Sequence, residues 1–380
     1  MLKKLKKAIQ KITNNKMENK IGVIVDDITA KAGTERAIIN LCNGLLKYYP
    51  EQYKIIIISR FSKKGDIPFF ELNTKIEIEH LETINNFKFW NKFFLYRILL
   101  KLIKAINRKH NFDLLMGSTY VHNNLLPFIV KNTQTKTLGC EHVVYDYPPK
   151  LIKFFRKVMY PKLNAVIVLN ETESKNFYFL NNISVIPNCL PFEAKRSSSL
   201  NENRIISAGR LTHEKGFDLL IDIFDTVHKE APNWELVIFG EGEEHSRLDS
   251  KIKEKGLQNN IKLCGAVKNI SEEYLQSSIF VLSSRSESFG IVIIEAMNHG
   301  LPVVSFDCDG PKNILINKEC GYVLPQFDKK KFSEKIITLI NNVGIRKKMG
   351  ESGLKASYKY KEKKIIPLWN KQIQLILKNN

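Results

Sequence analysis

The sequence lacks paired cysteines and long apolar runs. Its six cysteines are scattered without a CxxC pair, which excludes a zinc ribbon and a disulfide framework and indicates a reducing, cytoplasmic setting. No stretch approaches the roughly 20 uninterrupted apolar residues that span a bilayer. The first twenty residues are too charged to contain the apolar core of a signal peptide. We therefore expect a cytoplasmic protein without a membrane-spanning segment.

Acidic residues are scarce relative to basic ones, and unevenly so. The chain has 59 Lys and Arg against 39 Asp and Glu, a formal net charge of +20. Residues 1–190 hold 30 basic and 15 acidic residues and contribute +15, so the remainder contributes +5. A general enrichment in lysine is the alternative, but the more even second half argues against it as the whole cause. The asymmetry predicts a polyanionic partner, whether nucleic acid, anionic lipid or a phosphorylated substrate.

The length and composition are those of a two-domain globular protein, with 380 residues, 43% of them hydrophobic and 26% charged. Short apolar runs alternate with helical periodicity in residues 20–191 and again in residues 205–360. The Ser- and Asn-rich segment 192–204 between them has linker composition. This repeated βαβ rhythm predicts an α/β fold of two doubly wound, Rossmann-like domains that face each other across a cleft. Ligands of such sheets bind at the carboxyl ends of the strands.

Three further segments are predicted to be helical. Residues 1–19 place leucine and isoleucine at helical spacing among lysines, which is typical of a helix on a membrane surface; a solvated terminus is the alternative. The aromatic and basic stretch 87–108 suits a membrane surface, single-stranded nucleic acid or a core helix with solvated lysines. We expect the last helix, residues 361–380, to pack back on the N-terminal domain.

The strongest signal for chemistry is a pair of carboxylates around a predicted helix start. Glu287 follows a buried strand, and Glu295 lies just over one turn into the next helix. The backbone amides of residues 288–291 form the N-terminus of that helix, where unpaired N–H groups and a charge of about +0.5 attract phosphate. Carboxylates accept hydrogen bonds from sugar hydroxyls. The segment therefore suits a sugar nucleotide.

A second signal is the cation pair Arg210 and Lys215, which flanks a predicted turn between a strand and a helix. An arginine fork and a lysine point charge together form an anion clamp. A solvated basic turn is the alternative, but the carboxylate pair in the same sheet favours the clamp.

Asp307 and Asp309 form a D-x-D sequence, a pattern that can hold a divalent ion on phosphates. We expect no metal there, because the two cations and the helix end already supply positive charge.

Several short motifs occur together between residues 186 and 307, namely IPN, GRL-x3-KG, FGEGEE, Glu-x7-Glu and GLPVVSFD. In combination they resemble glycosyltransferase family 4, a group of retaining enzymes with the GT-B fold of two Rossmann-like domains. The match is dense from Ile186 to Val323 and thinner before it, where Ala32-Gly33 replaces the family's usual paired glycines. The sequence Asp-Cys-Asp-Gly-Pro at residues 307–311 resembles, with one residue fewer, the DC-x2-GP variant of bacterial galactosyl- and N-acetylgalactosaminyltransferases.

The resemblance implies a hexosyltransferase that uses a UDP-sugar, with a lipid-linked saccharide or polysaccharide as acceptor and residues 20–191 as the acceptor domain. It implies a peripheral position on the inner face of the cytoplasmic membrane, an anionic membrane surface as partner, no nucleic acid, no cofactor and no essential metal. By resemblance, the cations would bind the diphosphate, Glu287 the donor sugar and Glu295 the ribose. The catalytic residues would be His142 and Glu287. The donor-binding residues would be Gly33, Arg210, Lys215, Val267, Ser288, Phe289, Gly290, Ile291 and Glu295.

Two other interpretations remain open. A storage-polysaccharide phosphorylase or synthase shares the fold, although nothing in the sequence marks the lysine site that a pyridoxal cofactor would need. A non-catalytic nucleic-acid- or lipid-binding protein on a GT-B scaffold would bind no UDP, and its affinity for oligonucleotides would fall steeply with salt. The complete set of two carboxylates and two cations favours an enzyme.

Overall fold

The computed structural model describes residues 18–83, 92–315 and 319–378. Nearly all of the predicted N-terminal amphipathic segment, and the first residues of the stretch 87–108, lie outside these ranges. The described chain contains two parallel β-sheets, one in each half. Among the described helices, none combines the length and apolar character needed to cross a bilayer.

The first sheet has seven strands in the order β3-β2-β1-β4-β5-β6-β7. Strand β1 pairs on both sides: Ile21 lies opposite Ile55 of β2 and opposite Leu114 of β4. Its strands are β1 (Asn19–Val25), β2 (Tyr53–Ser59), β3 (Glu77–His80), β4 (Leu114–Gly117), β5 (Lys136–Cys140), β6 (Ala165–Val168) and β7 (Ile183–Val185). The helices between them are α1 (Gly33–Tyr48), α2 (Lys92–His110), α3 (Tyr120–Ile129), α4 (Lys150–Met159) and α5 (Glu171–Asn176).

Helices cover both faces of this sheet, which explains its continuous apolar strands. Alternate residues of β2 point to opposite sides, so that Ile55 and Ile57 pack with α1 whereas Ile56 and Ile58 pack with α2 and α3. The same arrangement recurs in the second half of the chain.

The second sheet has six strands in the order β10-β9-β8-β11-β12-β13. Its strands are β8 (Arg204–Ala208), β9 (Glu235–Phe239), β10 (Ile261–Leu263), β11 (Ile279–Leu282), β12 (Val303–Phe306) and β13 (Gly321–Leu324). The helices that follow β7 along the chain are α6 (Phe217–Glu230), α7 (His245–Glu254), α8 (Ser271–Leu275), α9 (Ile291–Asn298), α10 (Asp309–Leu315), α11 (Lys329–Asn341), α12 (Val343–Ser357) and α13 (Glu362–Lys378).

The last helix, α13, returns to the N-terminal half. Ile366, Trp369 and Ile373 are buried in the same core as α1 and β2. The hydroxyl of Tyr53 in β2 donates a hydrogen bond to Asn370 Oδ1 at 2.5 Å. The first domain is therefore completed by the end of the chain.

The predicted fold class, two facing doubly wound α/β domains, agrees with this architecture. The edge strands β7 and β13, which are short and only partly buried, are not among the strands that the sequence predicts. The predicted last helix, residues 361–380, corresponds to α13, and two further helices, α11 and α12, precede it.

Candidate active site

A cavity of about 310 Å³ lies between the two domains, within the range of small-molecule sites, about 300–1,000 Å³. Its walls come from the carboxyl ends of parallel strands in both sheets, where the topology leaves a crevice. The predicted site residues that line it are Gly33, His142, Arg210, Lys215, Val267, Glu287, Ser288, Phe289, Gly290 and Ile291. Glu295 is the predicted residue that the structure does not bring into the cavity wall.

The N-terminus of α9 forms one wall of the cavity. Gly290 precedes the helix with φ 85°, a left-handed conformation that costs other residues about 1–2 kcal/mol. The loop before it is held from the first domain, because Ser288 Oγ donates to the carbonyl oxygen of His142 at 2.6 Å. Asn170 Nδ2 in turn donates to the carbonyl oxygen of Ser288 at 2.9 Å. The first amides of α9 thus line the cavity on a loop that both domains fix.

Lys215 and Glu287 form an ion pair in the cavity wall, with Nζ 2.5 Å from Oε2. Lys215 ends a single 3₁₀ turn after β8, and Glu287 lies in the loop after β11. Because these are adjacent strands of one sheet, their carboxyl ends bring the two side chains together. Arg210 lines the same cavity, so both predicted cations and the first predicted carboxylate share one site.

His142 is buried, and this burial lowers the pKa of its imidazole to about 4. Its ring is therefore neutral at neutral pH. Among the described residues, none gives the buried Nε2 a hydrogen-bond partner. The residue lines the cavity, so it can hydrogen-bond a ligand there without adding positive charge. The preceding Glu141 is fixed by Arg156, with Nη2 2.5 Å from Oε2, and by the hydroxyl of Tyr160.

Glu295 lies behind the cavity wall and is fully buried. Its Oε1 is 2.7 Å from Nη1 of Arg36, and its Oε2 accepts a hydrogen bond from the hydroxyl of Tyr274 at 3.0 Å. Burial raises the pKa of Glu295, and Arg36 and Tyr274 oppose that shift. The carboxylate that the sequence assigns to the ribose is thus held by an arginine of the first domain. Its role in donor binding stays a prediction.

Arg36 is the main site residue that the sequence analysis did not single out. It extends from α1, lines the cavity and reaches Glu295 in the other domain. Its guanidinium also lies 5.5 Å from the ring centre of Phe70 and 5.7 Å from that of Phe192. The only sequence signal was its position just after Gly33, since nothing in the sequence identifies its partners.

The D-x-D sequence lies beyond β12. Asp307 pairs with Lys312 at 3.1 Å, and Asp309 begins α10. Within the described ranges, no group of three or more His, Cys, Asp or Glu side chains is arranged to hold a metal ion. The expectation of a metal-independent reaction stays a prediction.

Two Rossmann-like domains with a cavity between the carboxyl ends of their sheets define the GT-B type of fold. Sucrose-phosphate synthase from Thermosynechococcus elongatus superposes with a TM-score of 0.84 at 16% identity, covering 96% of this chain and 100% of that one. Residues 191–356 match the family model described as "Glycosyl transferases group 1". The chain therefore has the GT-B fold and carries a group 1 glycosyltransferase domain, and it is a transferase enzyme.

Two curated bacterial relatives match along most of their length. The amylovoran biosynthesis glycosyltransferase AmsD of Erwinia amylovora is 28% identical over 367 residues, which are 92% of this chain and 98% of AmsD. A Campylobacter jejuni α-1,4-N-acetyl-D-galactosaminyltransferase, named for its GalNAc-α-(1→4)-GalNAc-α-(1→3)-diNAcBac-PP-undecaprenol substrate, is 24% identical over 348 residues, 87% of this chain and 91% of that enzyme.

Proposed function

We propose that this chain is a retaining, family 4 type transferase that moves a hexose or N-acetylhexosamine from a UDP-sugar to a lipid-linked saccharide or polysaccharide. The product would be a bacterial surface glycan. The observation that carries the proposal is the meeting of Arg210, Lys215, Glu287 and the start of α9 in one interdomain cavity. Two cations and a helix N-terminus stabilise a diphosphate, and a carboxylate accepts hydrogen bonds from the hydroxyls of a sugar.

The same groups support a mechanism in which the sugar–phosphate bond breaks as UDP leaves. Arg210, Lys215 and the α9 amides stabilise the negative charge that develops on the leaving phosphate. Glu287 holds the sugar, and neutral His142 hydrogen-bonds it without repelling the positive charge that builds up on the ring. The acceptor hydroxyl attacks from the same face, and its proton passes to the leaving phosphate oxygen.

The identity of the sugar and the acceptor is proposed from the relatives. The resemblance of residues 307–311 and the Campylobacter enzyme both favour galactose or N-acetylgalactosamine, and the diphosphate-linked undecaprenol in that enzyme's name favours a lipid-diphosphate acceptor. AmsD is named as a glycosyltransferase of a biosynthetic route, which favours a role in building a glycan. A lipid-linked acceptor places the enzyme peripherally on the inner face of the cytoplasmic membrane.

The test is acceptor-free hydrolysis of a panel of nucleotide sugars by purified protein, with and without EDTA. We expect slow release of UDP from one sugar, unaffected by EDTA and reduced at least 100-fold in Glu287→Ala, because loss of a charged transition-state contact costs about 3 kcal/mol. A matched control is Glu243→Ala, an exposed carboxylate of the same domain. No turnover of any donor, with no thermal shift by UDP, would favour a binding protein instead. Loss of turnover in EDTA would show that a metal is required.

A further inference from the structure

Helix α4 buries an arginine on the side that faces the protein and exposes a row of four apolar side chains to solvent. Arg156 is fully buried, whereas Leu151 and Phe154 are 63% and 58% exposed. Phe155 and Val158 are also exposed. A surface helix of a globular domain ordinarily shows the opposite orientation, with apolar residues inward. We name Leu151, Phe154, Phe155 and Val158 the α4 face.

The buried arginine explains why the helix holds this orientation. Arg156 Nη2 lies 2.5 Å from Glu141 Oε2, and Nη1 donates to the carbonyl oxygen of Tyr145 at 2.9 Å. Turning the phenylalanines inward would leave the fully buried Glu141 without its cation, which is strongly unfavourable. Glu141 directly precedes His142 in the cavity wall, so the α4 face is fixed relative to the candidate active site.

The surroundings of the α4 face are basic. Residues 147–170 contain five Lys and Arg and no Asp or Glu; Arg156 pairs with Glu141 and Lys153 with Asp146, which leaves Lys150, Lys157 and Lys162. Lys150 and Lys157 are exposed, and Lys157 Nζ lies 5.9 Å from the ring centre of the exposed Tyr178. Exposed phenylalanine and leucine flanked by lysine are the chemistry that binds the interface of an anionic bilayer.

We propose that the α4 face inserts into the surface of an anionic membrane and thereby docks the enzyme beside its acceptor. The inference rests on the proposed function, because a lipid-linked acceptor is presented at that surface. Tyr147, three residues before α4, lines the cavity, so the docked face lies next to the cavity wall. This surface differs from residues 1–19 and 87–108, the two segments for which membrane contact was one of the interpretations of the sequence.

The test is cosedimentation of the full chain with vesicles of phosphatidylcholine, with or without phosphatidylglycerol. The variant Phe154→Ser/Phe155→Ser removes the two aromatic rings of the α4 face. The matched control Leu368→Ser/Leu375→Ser removes two comparably exposed side chains of α13. We expect wild type and control to bind the anionic vesicles, and the α4 variant to partition at least tenfold less. Equal partitioning of all three proteins, or no binding by wild type, would overturn the proposal.

Two further readouts on the same preparations separate the alternatives. Acceptor-free hydrolysis of the UDP-sugar should be unchanged in the α4 variant, because neither phenylalanine lines the cavity. If no protein hydrolyses the donor but the α4 variant alone loses vesicle binding, the transferase proposal fails and docking stands. If wild type dimerises in sedimentation velocity, the α4 variant does not, and vesicles bind neither, the α4 face is a dimer interface and membrane docking is wrong.

Discussion

At the scale of single residues, Arg36 and Glu295 show how one buried ion pair joins the two domains. Removal of Arg36 leaves a fully buried carboxylate whose other partner among the described residues is the hydroxyl of Tyr274. Loss of one partner of a buried pair typically costs about 3 kcal/mol or more. We expect Arg36→Met to lower the free energy of unfolding by about that amount.

The double variant Arg36→Met/Glu295→Gln tests whether the loss comes from the unpaired charge. It should recover much of the stability, because the carboxylate that needed Arg36 is then neutral. Urea denaturation of wild type, both single variants and the double variant measures the coupling. Strictly additive losses would contradict a direct interaction between the two side chains.

The buried imidazole of His142 predicts a dependence of stability on pH. Burial lowers the pKa of His142 from an ordinary 6.5 to about 4, so between these values the unfolded chain binds more protons than the folded one. Stability then rises with pH: the contribution of His142 is complete above pH 6.5 and is lost as pH falls towards 4. The full shift corresponds to about 3 kcal/mol.

We expect His142→Gln to lose less stability than wild type when the pH falls from 7 to 4.5. The difference between the two proteins isolates this residue from the other groups that titrate in the same range. Denaturant titrations at four pH values measure it. If the free energies of unfolding of the two proteins depend on pH in parallel, the imidazole of His142 is not buried in its neutral form.

At the scale of secondary structure elements, two glycines at the starts of helices differ in what a methyl group would meet. At Gly290, φ is 85° and a Cβ would lie 3.0 Å from Ile293 Cδ1. At Gly33, the first residue of α1, a Cβ would meet nothing within 4 Å. Both residues line the cavity. Their alanine variants therefore separate effects on folding from effects on donor binding.

We expect Gly290→Ala to lower stability by about 1–2 kcal/mol and to raise the KM for the donor. Gly33→Ala should keep wild-type stability, or gain slightly from the higher helix propensity of alanine, and still raise the donor KM. Thermal unfolding and donor hydrolysis measure both quantities. A donor KM unchanged in Gly33→Ala would contradict the predicted approach of the donor phosphate to that backbone.

The strands that the sequence predicted best are those whose apolar residues are buried on both faces. The sequence predicts strands at residues 53–59, 136–140, 204–208 and 235–239, and β2, β5, β8 and β9 have these limits. In β2 and β9 a run of apolar residues marks the extent of the strand. β7 and β13 lie at sheet edges, and half-exposed residues give no such run.

The residues of the candidate site fall into two groups: those that strand topology brings together, and those whose contacts depend on how the two domains pack. Motifs at the ends of adjacent strands meet because topology requires it, which is why Lys215 and Glu287 could be placed in one cavity from the sequence. The contact of Arg36 with Glu295 depends on how the domains pack, and the spacing of residues along the chain carries no information about that.

At the scale of the whole molecule, α13 makes the N-terminal domain depend on the far end of the chain. Trp369 is buried in the core that contains β1 and β2, far in sequence from either strand. Truncation of a buried tryptophan costs about 3–5 kcal/mol. We expect Trp369→Ala to destabilise the first domain, with β1 and β2 amides losing protection in hydrogen exchange before those of β8 and β9.

The neighbouring Leu368 is exposed on the same helix, and Leu368→Ala should stay within about 0.5 kcal/mol of wild type. This control separates the effect of docking from that of helix propensity.

Because Arg36 of the first domain neutralises Glu295 of the second, a destabilised first domain also weakens that ion pair. The amides of α9 should therefore lose protection next. The amides of α6 and α11, which pack together on the other side of the second sheet, should stay protected. Simultaneous loss of protection in both sheets would show instead that the two domains unfold as one unit.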